Sequence, residues 1–134
     1  MKQKTLPKRF EAKGRGIPFF HNENYITNGR FMVPKTLVKE SFRYCHPCEN
    51  QPDLNRVIPQ KTEKTFIRTN RLYSFADCLV REFICGEEKA YFNEDYINHF
   101  EIKTIEGNSP TDIFITHNGI VLMPMREPEY KIGV

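Results

Sequence analysis

No stretch of this chain approaches the length of an apolar membrane span, and its opening residues, MKQKTLPKRF, lack the apolar region of a secretory signal. The first absence argues against a helical membrane anchor, and the second predicts a protein that works in the cytoplasm. Cysteine is scarce. Four such residues without a secretion signal read as thiols or metal ligands before they read as disulfides. The devices of catalysis are missing as well: there is no Gly-rich phosphate loop, no nucleophile elbow, no pair of helical metal-binding histidines and no convincing carboxylate pair. Cys48 beside Glu49 lacks a placed base, so it does not make a nucleophile. A non-enzymatic protein without a cofactor is expected.

What is present suits a globular domain. With 39% hydrophobic and 28% charged residues the chain can bury a core, and 134 residues suit one domain rather than two. The net charge of +3 is unevenly placed. Residues 1–16 carry six basic side chains against Glu11 alone, a net +5, so the remaining chain sums to −2. This predicts a basic flexible arm over 1–16, a single domain over 17–126 and a tail over 127–134.

Two Asn-Gly dipeptides, Asn28-Gly29 and Asn118-Gly119, each sit between apolar residues and predict hairpins, because both residue types tolerate the positive φ of a tight turn. The segment 36–44 offers Leu37, Val38 and Phe42 to a short helix before Pro47 and Pro52 intervene. Phe66 to Arg68 suits a short strand. Thr69 suits a helix N-cap, and Leu72, Phe75, Ala76, Leu79 and Phe83 recur at helical spacing after it. A strand pair over 82–85 and 89–92 follows, turning at Gly86. Asn93 then caps a second helix with Glu94 and Asp95 in its first turn. The fold class predicted is α+β, with antiparallel sheet and two helices packed on one face.

Four segments in the same order carry a resemblance. FMVPKTLVKESF (31–42), PDLNRVIP (52–59), AYFNEDYINHF (90–100) and VLMPMR (121–126) resemble segments of the bacterial DNA polymerase sliding clamp family. The resemblance implies a processivity-clamp-like domain in DNA replication, without catalysis. It also implies a hydrophobic groove at the C-terminal strand that receives the binding motifs of polymerases and clamp loaders. Carried over by motif, the partner-binding residues are Val121, Leu122, Met123, Pro124, Met125 and Arg126. Methionines repack around varied apolar ligands, which suits that role. The clamp's DNA contacts imply backbone-contacting cations, here Arg30, Lys64, Arg68, Arg71 and Arg81, and a ring of about six copies would be needed to encircle duplex DNA. The chain continues past the signature as EPEYKIGV, where Tyr130 and Ile132 are candidate anchors for a tail folding over its own groove.

The alternative reading is a small phage or mobile-element module that binds nucleic acid or inhibits a host protein. Its distinctive chemistry is zinc. Cys45 and Cys48 have the two-residue spacing of a thiolate pair, and Cys78 and Cys85 are the remaining candidates for four sulfurs.

Overall fold

A computed structural model describes residues 3–10, 19–21, 23–39, 45–47, 54–75, 78–128 and 130–131, most of them in strands, bridges and turns. The chain divides into two compact units. The first takes Met1–Ile58 with Gly119–Val121, and the second takes Pro59–Asn118 with Leu122–Val134.

In the first unit, β1 (Phe19–His21) pairs antiparallel with β2 (Tyr25–Thr27), which pairs antiparallel with β3 (Phe31–Pro34). The Asn28-Gly29 hairpin predicted from sequence is present, with Gly29 at φ 90°. Asn28 shows why asparagine belongs there. Its side-chain oxygen accepts from the backbone N–H groups of Arg30 and Phe31, and its amide donates to the Phe10 carbonyl at 2.8 Å. β4 (Cys45–Pro47) joins β1 in parallel. Residues 3–10, from the basic N-terminal stretch, are tied into this unit. Lys4 exchanges backbone bonds with Leu37 and Lys39, Leu6 and Phe10 are buried, and Phe10 meets Phe31 edge to face.

The second unit is built on β5 (Lys64–Phe75), β6 (Cys78–Cys85) and β7 (Glu88–Asn93), an antiparallel meander. The turn between β6 and β7 uses Gly86 at φ 60°, where the sequence placed it. α1 (Glu94–His99) follows, with the Asn93 side chain accepting from the Asp95 N–H as an N-cap. β8 (Thr104–Gly107) pairs with the first third of β5 and with β9 (Phe114–Ile115). The second Asn-Gly turn, with Gly119 at φ 93°, and β10 (Val121–Leu122) follow where the chain passes through the 119–121 stretch that belongs to the first unit. β11 (Tyr130–Lys131) returns to pair with Ser74 and Tyr73 of β5.

The expected α+β class is therefore corrected: the described residues are mostly antiparallel β-structure with one α-helix of six residues. The helix predicted over 69–83 is instead the second half of β5 and most of β6, with Ala76 and Asp77 outside the described residues. A helix would have buried Leu72, Phe75 and Leu79 on one face, whereas Leu79 is 47% exposed. Strand pairing wins because β5 and β6 form a long ladder whose Thr, Tyr, Ile, Val and Phe residues suit a pleated surface. The helix expected over 36–44 is a single 3-10 turn at Lys35–Leu37 that ends in a bridge at Val38, and residues 40–44 lie outside the described residues.

The core of the second unit is aromatic. Phe66, Phe83, Phe92 and Phe114 are essentially fully buried and meet edge to face, with ring centroids 4.9–5.2 Å apart. Edge-to-face contact sets positive ring edges against negative faces, and burying each ring contributes about 1.5–3 kcal/mol. Gly107 is required by this cluster, since a Cβ there would lie 2.6 Å from the Phe114 ring. Among the described residues no helix is long and apolar enough to cross a membrane.

Candidate functional site

The β5–β6 ladder holds a defect that organises the polar residues of the second unit. Arg68 faces Phe83 and Leu72 faces Arg81, so Thr69, Asn70 and Arg71 together oppose Glu82. Extra residues on one strand bend it and re-aim its side chains. Here the bulge wraps Glu82. The glutamate is fully buried, and Tyr73 donates its hydroxyl to Oε2 at 2.8 Å while Arg71 lies 3.4 Å from Oε1. The Thr69 hydroxyl bonds the Glu82 carbonyl at 3.0 Å and accepts from the Arg71 N–H, locking the bulge. Burial, then the hydrogen bond to Glu82, pushes the Tyr73 phenol up to about 12. Tyr91 crosses the Tyr73 ring edge to face at 5.4 Å, and burial raises its phenol too, helped by the charges of Glu127 and Glu82.

The other face of the same strands carries a second ionic cluster. Arg81 pairs with Glu94 at the start of α1 and donates to the Thr69 carbonyl at 3.2 Å. Both partners are largely buried, with side-chain exposures of 12% and 7%. Arg68 lies 3.9 Å from the other Glu94 oxygen and donates to Asn98. Thus α1 covers one face of the meander.

The C-terminal segment returns to the edges of the same meander. The Met125 N–H donates to the Tyr91 carbonyl at 2.7 Å, which places Met125 on the outer edge of β7. Five residues later Tyr130 pairs with Ser74 on the outer edge of β5. Between these two pairings Glu127 is exposed and Pro128 is buried.

The residues nominated for partner binding are consequently split. Val121 and Leu122 are core residues, 3% and 1% exposed, and offer a ligand no surface. Met123 is 54% exposed, Pro124 and Met125 are half-buried, and Arg126 is exposed. Four of the nominated cations lie on strands rather than on a helix, and those four are matched by carboxylates. Lys64 pairs with Glu88, Arg68 and Arg81 share Glu94, and Arg71 pairs with Glu82. Arg30 lies exposed in the first Asn-Gly turn.

The zinc constellation does not assemble on β6. Cys78 and Cys85 stand at its two ends, about 23 Å apart at roughly 3.3 Å per residue, which is far beyond the reach of one tetrahedral ion. Cys45 is placed in β4, and Cys48 lies outside the described residues. Among the described residues no group of three or more metal-ligating side chains comes together.

Sequence reasoning missed the Glu82 cluster because it read 69–83 as helix. The signal was the alternation Thr69, Arg71, Tyr73, which brings three polar groups to one side of an extended strand. No protein-family model matches this sequence, and neither curated proteins nor solved structures provide a match.

Proposed function

We propose that this chain is a non-catalytic cytoplasmic binding protein that engages an extended segment of a protein partner at residues 123–126. The observation that carries the reading is Met123. It is a large apolar side chain 54% exposed, beside exposed Arg126, on a segment whose backbone the Met125–Tyr91 bond fixes at a strand edge. An adaptable thioether next to a guanidinium suits a peptide bearing an apolar anchor and a carboxylate. The VLMPMR resemblance names the first partner class to test, the polymerase and clamp-loader proteins of DNA replication. Contact with duplex DNA has weaker support, because Lys64, Arg68, Arg71 and Arg81 already face carboxylates and their field is largely cancelled.

The test is fluorescence anisotropy with a labelled clamp-binding peptide. Saturable binding that Met123→Glu weakens at least about tenfold, about 1.4 kcal/mol, supports the reading. Absence of binding at millimolar protein, or binding indifferent to Met123, refutes it.

A further inference from the structure

The first half of β5 and the strands beside it bury one face only. Phe66, Phe83, Ala90, Ile105 and Phe114 lie on the core face and are at most 1% exposed. Their neighbours in sequence alternate onto the other face, where the register sets Thr104, Ile67, Ile84 and Lys89 side by side across β8, β5, β6 and β7. Glu106 stands two residues along β8 from Thr104, opposite Thr65. A sheet face turned to water is ordinarily polar. Here the middle of the row is a pair of isoleucines, and Ile67, at 57%, is the most exposed large apolar side chain among the described residues. Neither Lys89 nor Glu106, at the margins of this row, forms an ion pair with a described residue, whereas Lys64 and Glu88 on the core side of β5 and β7 pair with each other.

We propose that this face is where two copies of the chain pair, sheet on sheet, about a two-fold axis running between β5 and β6. Both of those strands have a neighbour paired on either side, so a partner must pack on the face rather than add a strand to it. The charge pattern selects the occupant. Lys89 stands on β7 at one margin and Glu106 on β8 at the other, so a uniformly acidic or basic partner meets a like charge on one side. The two-fold instead lays β7 of each copy over β8 of the other. Each Lys89 then faces the partner's Thr104, about 7 Å along the strand from the partner's Glu106. With the faces about 10 Å apart, that offset is within the joint reach of the two side chains. Two symmetric ion pairs thus flank a centre made of Ile67 and Ile84 from both copies, the self-complementarity that an isologous interface requires. Four strands about 4.8 Å apart present a small patch beside the about 800 Å² per partner of a stable complex, so the pairing is a concentration-dependent one. It does not rest on the peptide reading at residues 123–126.

Sedimentation equilibrium on the full chain, from about 10 μM to about 1 mM, tests this. The mass is expected to rise from monomer toward dimer across the series, and Ile67→Lys to weaken the association at least about tenfold. Lys89→Glu is expected to weaken it at least about tenfold too, because it sets like charges together twice across the two-fold. Lys89→Glu combined with Glu106→Lys restores opposite charges and should return the association to within about threefold of the parent. A chain that stays monomeric to about 1 mM overturns the proposal, as does self-association indifferent to Ile67→Lys or to Lys89→Glu, or a charge swap that restores nothing. Association that Met123→Glu removes and Ile67→Lys leaves intact also overturns it, and assigns the contact to the Met123 edge.

Discussion

Replacing Tyr73 by phenylalanine removes one oxygen and keeps the ring, so the edge-to-face contact with Tyr91 survives while the 2.8 Å bond to Glu82 does not. Glu82 is fully buried, and among the described residues Arg71 and the Thr69 hydroxyl, at 3.4 and 3.5 Å, are its remaining side-chain donors. A hydrogen bond to a charged group contributes about 1.5–3 kcal/mol, and its loss leaves part of a buried carboxylate unsatisfied. For a unit the size of the second, each kcal/mol moves the midpoint by about 4–8 °C, so a fall of roughly 8–16 °C is expected for a loss of about 2 kcal/mol. Differential scanning calorimetry reads it directly. The phenol, held neutral by burial first and by this bond second, also has a pH signature. The Tyr73 phenol is raised from its ordinary 10 to about 12, so its contribution is complete below pH 10 and is lost as the pH rises toward 12, where the unfolded chain ionises first. Tyr73→Phe should flatten that part of the alkaline stability curve. A midpoint within a degree of the parent protein, with an unchanged alkaline limb, would refute the assignment of Tyr73 as the principal donor to Glu82.

Other perturbations separate buried from exposed chemistry. Arg81→Ala strands Glu94 without its main partner in a largely buried site and should cost about 3–5 kcal/mol in urea denaturation, while Lys64→Ala should scarcely move the curve, since Lys64 and Glu88 are each more than a third exposed. Gly107→Ala forces a methyl against the Phe114 ring and should destabilise by about 1–3 kcal/mol, with the near-ultraviolet aromatic circular dichroism altered at the same time. Chelator treatment should leave the melting temperature of the second unit unchanged, because Cys78 and Cys85 cannot share an ion.

The parts of this fold legible in the sequence are those fixed by local chemistry. Both Asn-Gly turns, the Gly86 turn and the Asn93 cap follow from backbone conformations that few residues tolerate or from side chains that satisfy orphan N–H groups. The helix expected over 69–83 failed for a tertiary reason. A strand with one face in water alternates visibly, but β6 is a central strand with α1 packed on one face, and Val80 and Glu82 on one face and Phe83 on the other are all buried. With alternation erased, the spacing of Leu72, Phe75, Leu79 and Phe83 mimicked a helix. The candidate site was half legible. Met123 and Arg126 are exposed as a binding edge requires, whereas nothing local marks Val121 and Leu122 as core, since burial depends on what packs against a strand.

The claim that residues 123–126 take a partner segment is tested most directly by mapping amide chemical-shift changes as a clamp-binding peptide is titrated into the isotope-labelled chain. Met123, Met125, Arg126 and Tyr91 are expected to shift together and saturate, while Arg68 and Arg81 stay unmoved. Shifts confined to the Arg68–Arg81 face, or none at all, would contradict it.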